Sequence, residues 1–129
     1  MILVDGRRVD RVPADDRGLA YGDGLFETLR ARRGRLPLLD YHLERLFAGL
    51  EVLGFPPLRR DLLHDELLEA AGECPEGVVK LIVTRGSGAR GYLAPANCEP
   101  RRIVSTANRR PDISGWREQG VVLRICRTP

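Results

Sequence analysis

The sequence predicts an α+β fold, a mainly antiparallel sheet with two consecutive helices. Three observations predict it. Strand-like apolar segments lie on both sides of a helical stretch, two helical periodicities follow one another directly, and turn pairs such as Asp5-Gly6 mark tight reversals between strands. At 129 residues, 43% of them hydrophobic, the chain has the size of one domain with its own core. That composition excludes a disordered or fibrous chain.

Taken in order, "ILVDGRRV" reads as a short strand turning at Asp5-Gly6. "VPADDRGLAYGDG" has neither regular period and reads as a loop. In "LFETLRARRGRLPLL", Leu25, Glu27 and Leu29 alternate with Phe26, Thr28 and Arg30, which predicts a strand turning at Arg33-Gly34 into a second strand. Asp40 is the expected N-cap of a helix over 41–53, with Leu43, Leu46, Leu50 and Leu53 as its buried stripe and Gly54 as its stop. A second helix is expected over 61–71, with Leu63, Leu67 and Ala70 inward. "GVVKLIVT" is nearly continuously apolar and β-branched, as a central strand would be. Further strands are expected at "RRIVSTA" and "GVVLRIC", joined by a polar connection containing Pro111 and Gly115.

Composition also bounds function. Twenty of the 21 basic residues are Arg, dispersed among acidic residues to a net charge of +3, and only 5% of residues are aromatic. Neither a basic stripe nor a stacking platform results, so no nucleic-acid partner is expected. No uncharged apolar run approaches the roughly 18 residues of a membrane span, and Asp5 comes too early for a signal peptide. A soluble, cytoplasmic protein without a membrane partner is expected. Cys74, Cys98 and Cys126 show no Cys-x-x-Cys spacing, and His42 and His64 form no cluster with them. Three reduced thiols are expected, with neither a disulfide framework nor a metal site.

Arg45 lies roughly 200° around its helix from Leu43, away from the leucine stripe. It reads either as a solvated arginine pairing with Asp or Glu, or as an anion clamp whose planar fork matches phosphate or carboxylate. "RGSGARGY" places Arg85 and Arg90 on either side of a Gly-Ser-Gly turn, where two guanidiniums suit two carboxylates or simply face water. It is not a P-loop, because no Gly-Lys-Ser/Thr follows. Tyr21 sits in a glycine-rich loop, either donating to an anionic ligand or capping the core with its hydroxyl in water. Asp23 and Glu27 read as turn and solvent-face residues.

The segments "DRGLAYGDGLFETLR", "LLDYHLERL" and "VKLIVTRGSGARGY", in that order and spacing, resemble the N-terminal half of the class IV aminotransferase family, the fold-type IV pyridoxal-phosphate enzymes. The likeness spans essentially the whole chain. "RGSGARGY" is more similar to the family's aminodeoxychorismate-cleaving lyases than to its branched-chain or D-amino-acid aminotransferases.

The resemblance implies pyridoxal 5'-phosphate as cofactor, with Arg45 on its phosphate. It implies that Tyr21, Arg85, Arg90 and Tyr92 line the side of a small anionic amino substrate, some of them reaching the partner's site in a homodimer. Family chemistry also needs a lysine that holds the cofactor as a Schiff base and shuttles the Cα proton. Lys80, the sole lysine, lies inside an expected strand and is read as structural. The Schiff-base lysine is expected beyond Pro129, so this chain is expected to contain no catalytic residue and to be inactive alone. Residues 1–115 are expected to form the N-terminal α+β domain, with 116–129 a linker into a C-terminal cofactor domain. An aminotransferase of the same family, and a non-catalytic binding or dimerisation module, are the alternatives.

Overall fold

The computed structural model describes residues 1–88, 90–95, 97–108 and 114–126. Along the chain come β1 (Ile2–Val4), α1 (Arg17–Tyr21), β2 (Gly24–Arg32), α2 (Leu39–Val52), α3 (Arg60–Gly72), β3 (Glu76–Thr84), β4 (Arg101–Ala107) and α4 (Ser114–Gln119). The four strands form one antiparallel sheet in the order β1-β4-β3-β2. The expected α+β class is the one observed, and "GVVKLIVT" is a central strand, paired along its length with β2 and β4.

Strand alternation divides the sheet into two faces. Leu29 and Ala31 of β2, Val79, Leu81 and Val83 of β3, Val104 of β4 and Leu3 of β1 form the inner face. Leu43, Leu46 and Leu50 of α2 and Leu63, Leu67, Ala70 and Ala71 of α3 complete a single core against it. The opposite face carries Phe26, Thr28, Lys80, Ile82, Ile103 and Ser105, and α1 lies over one end of it.

Turn chemistry sets the connections. Asp5 and Gly6 both have positive φ, 51° and 74°, and Val4 and Arg7 exchange backbone hydrogen bonds across them. This is the two-residue hairpin turn expected. At the end of α2, Gly54 adopts φ 63°, its N–H donates to Glu51, and the N–H of Phe55 donates to Leu50. That pair of bonds is a Schellman motif, which turns the chain off the helix axis.

The structure corrects several expectations. Residues 17–21 of the supposed loop form a short helix, because buried Asp16 caps it by accepting from the Gly18 N–H. Arg33-Gly34 does turn the chain, but only the bridge Arg32↔Arg35 follows; Pro37 lacks the N–H that a continuing ladder needs. α2 begins at Leu39, with Leu38 at its N-cap and no side-chain cap, so Asp40 lies in the first turn near the positive helix end. Leu53 is exposed at the C-cap, and Leu39 joins the buried stripe instead. Residues 121–126 are exposed and form no strand, having no partner among the described residues. Part of the expected polar connection is α4, none of whose residues is buried. Pro111, Ala89 and residues 127–129 lie outside the described residues.

Candidate functional site

β2 and the residues leading into it carry two charged clusters. The first joins β2 to α2. Alternation points Glu27 inward with Leu29 and Ala31, leaving it 4% exposed rather than on the solvent face expected. Arg45 Nε donates to Glu27 Oε1 at 2.8 Å and Arg45 Nη2 to Oε2 at 2.5 Å. One turn earlier on α2, His42 Nδ1 lies 2.7 Å from Oε2. Arg45 holds the Glu27 carboxyl below the ordinary carboxylate range; burial opposes this and His42 adds to it.

Arg45 therefore realises the ion-pair geometry that its place off the leucine stripe allows. Its side chain is 72% exposed, and Nη1 makes no hydrogen bond to a described residue. A guanidinium oriented by a buried carboxylate, with donors still facing outward, fits one contact to a phosphate monoester. Among the described residues no cluster of His, Cys, Asp and Glu could hold a metal ion.

The second cluster joins α1 to the 85–92 segment. Asp23 accepts from Arg17 Nε at 2.8 Å and from Arg85 Nε at 3.0 Å. Burial alone would raise the Asp23 carboxyl, but Arg17 and Arg85 outweigh it and keep the group below its ordinary value. Arg85 also donates to the Leu53 and Gly54 carbonyls, and its guanidinium stacks 4.1 Å from the Phe55 ring centre. The side chain is buried, its donors turned toward protein. Asp16 accepts from Thr84 Oγ1 at 2.9 Å and from Arg101, locking α1 onto the end of β3. The fit is close: a Cβ on Gly18 would lie 2.2 Å from Thr84 Cγ2.

Of the residues singled out in the sequence, Tyr21, Arg85 and Tyr92 share this second cluster. The Tyr21 hydroxyl accepts from the Gly91 N–H at 3.0 Å, and the Tyr21 and Tyr92 rings meet edge-on at 5.6 Å. Tyr92 is 91% exposed. Arg90 is exposed and forms no bond with a described residue. Arg45 stands apart, in the Glu27 cluster. Lys80 points from the outer sheet face with Nζ 4.8 Å from the Phe26 ring centre. Beside it, between α1 and that face, opens an apolar cavity of about 510 Å³ lined by Leu19, Phe26, Ile82, Thr84 and Ile103 among others.

Arg17, Asp16, His42 and the inward Glu27 escaped the sequence reading. A signal existed for Glu27, since a lone carboxylate interrupts the Leu25, Leu29, Ala31 face, and a charge on an apolar face is buried only when paired. Asp16 and Arg17 stood in a segment read as an irregular loop, where side-chain caps leave no periodic trace.

Residues 24–129 match the family model for amino-transferase class IV. The chain is 35% identical over 130 residues to an aminodeoxychorismate lyase of Vibrio harveyi, an alignment covering 99% of this chain and 47% of that protein. It superposes on the crystal structure of 4-amino-4-deoxychorismate lyase from Pseudomonas aeruginosa with a TM-score of 0.81 and 48% identity, over 92% of this chain and 44% of that one. Against the PLP-bound form of a hypothetical aminotransferase from Mycobacterium tuberculosis the TM-score is 0.70 with 26% identity, over 83% of this chain and 39% of that one. The chain thus spans about half the length of the relatives it matches, or less.

Proposed function

Since this chain belongs to the class IV aminotransferase family, we propose that it is the N-terminal part of a pyridoxal-phosphate-dependent aminodeoxychorismate lyase, which converts 4-amino-4-deoxychorismate to p-aminobenzoate and pyruvate for folate synthesis. The observation that favours the lyase over an aminotransferase is the 48% identity to the Pseudomonas lyase. Residues 1–115 form the N-terminal domain in this reading, and 116–129 lead into the cofactor domain. The active form is a cytoplasmic homodimer. No described helix is long and apolar enough to cross a membrane.

Pyridoxal phosphate, when bound, delocalises the electron pair left at Cα once the substrate proton is removed. Arg45 holds its phosphate through the donors that Glu27 leaves facing outward. Tyr21, Arg90 and Tyr92 face the substrate, and Arg90 suits one of its two carboxylates. Arg85 belongs to the same side as the anchor of the segment, through Asp23 and the Leu53 and Gly54 carbonyls. The lysine that moves the Cα proton comes from outside residues 1–129, so this chain alone turns over nothing.

The test is to incubate the complete protein with aminodeoxychorismate and no keto acid. Equal release of p-aminobenzoate and pyruvate is expected. Turnover that requires a keto acid and yields an amino acid would replace the lyase by an aminotransferase. Absence of cofactor binding would leave a non-catalytic binding or dimerisation module.

A further inference from the structure

We infer that Arg17 is a positioning residue that fixes residues 90–92, and with them the substrate-facing edge of the site. The inference deepens the reading above and rests on it for the identity of the substrate, a small dicarboxylate.

Arg17 opens α1 and is 1% exposed. Burying a guanidinium is costly, and its carboxylate partner Asp23 is shared with Arg85. Packing alone would be served by an apolar side chain. What only an arginine supplies is its pattern of directions. Nε donates to Asp23 at 2.8 Å, Nη1 to the Gly91 carbonyl at 2.9 Å and Nη2 to the Tyr92 carbonyl at 3.2 Å. Its guanidinium carbon lies 4.9 Å from the Tyr21 ring centre. Tyr21 then accepts from the Gly91 N–H and meets the Tyr92 ring.

One buried side chain thus grips two successive carbonyls of an otherwise exposed segment and stacks on the tyrosine that holds the Gly91 amide just ahead of them. Arg90 immediately precedes the clamped residues, so its backbone direction is set by the same contacts. Lysine at position 17 keeps the charge beside Asp23 but cannot reach both carbonyls while covering the ring.

The test uses the complete protein with Arg17→Lys, and Tyr21→Phe as a second variant that loses the acceptor for the Gly91 amide while keeping the ring beside Arg17. Amide exchange over residues 90–95 should accelerate in both. In Arg17→Lys, KM for the dicarboxylate should rise about tenfold or more, while kcat and pyridoxal-phosphate affinity stay near wild type. The effects on KM should be non-additive in the double variant, because both act on one segment. Unchanged exchange or unchanged KM in Arg17→Lys overturns the inference, as does a KM rise accompanied by equal loss of cofactor affinity. If Arg17→Lys does not fold, unchanged exchange in Tyr21→Phe overturns it. A wild type that releases no p-aminobenzoate would defeat the lyase reading alone, since exchange over 90–95 is read without turnover.

Discussion

Arg45 and Glu27 meet as a two-pronged pair, Nε on Oε1 at 2.8 Å and Nη2 on Oε2 at 2.5 Å, joining the second turn of α2 to the inner face of β2. The carboxylate is buried and the guanidinium exposed, so the strand orients a helix residue without covering it.

If Arg45 holds the cofactor phosphate, Arg45→Ala should weaken pyridoxal-phosphate binding in the complete protein by about tenfold or more, the loss of a charged hydrogen bond. Glu27→Gln should weaken it less, by leaving the guanidinium in place but unsteered. Cofactor titration measures both. Unchanged affinity in Arg45→Ala would remove that residue from the site.

Glu27 and Asp23 both have carboxyls held below their ordinary values of 4.5 and 3.8. Below those values the unfolded chain binds more protons than the folded one, so their stabilisation is complete above the ordinary range and lost as pH falls through the lowered folded values. Thermal unfolding followed on acidification should show this loss, with a shallower decline in Glu27→Gln. An identical decline in the variant would mean that Glu27 does not contribute.

Gly18 has no room for a side chain, because its Cβ would lie 2.2 Å from Thr84 Cγ2 and 3.0 Å from Asp16 Oδ1. Gly18→Ala should destabilise the fold by about 1–3 kcal/mol through overpacking. Thr84→Ser, which removes the methyl and keeps the hydroxyl that donates to Asp16, should recover part of that loss. Denaturant unfolding of the single and double variants decides; additive losses would refute the contact.

Lys80 stands over the Phe26 ring on the outer sheet face, between Thr28 and Ser105 in the register. Borohydride trapping of the cofactor on the complete protein, followed by peptide mapping, should leave Lys80 unlabelled. Label at Lys80 would place the reacting lysine inside this chain and end the expectation that it acts only as part of a longer protein.

The fold was legible wherever period and turn chemistry agree. The leucines of α2, the β-branched run of β3 and the Asp5-Gly6 turn each carry a local signature that survives packing. Where one residue decides, the signature fails. Asp16 makes a helix of a stretch with no period, Pro37 stops a ladder that the alternation around it invites, and 121–126 has β-like composition but no described strand beside it. The site followed the same division. Tyr21, Arg85 and Tyr92 sit in marked segments that the fold brings together, whereas Arg17 and Glu27 acquire their importance only from partners distant in sequence, Gly91 and Tyr92 for one and His42 and Arg45 for the other.

β2 ends the sheet, paired along one side with β3 and, among the described residues, meeting nothing on its other side beyond the single bridge at Arg35. Such a margin offers a row of backbone donors and acceptors to any strand that approaches it. Arg30, Arg32, Arg33 and Arg35 crowd its far end, all exposed and without ion-pair partners among the described residues. Two copies meeting margin to margin at that end would press like charges together before their backbones could join. Charge at the hairpin tip thus disfavours edge-to-edge pairing of two copies at that end of the margin.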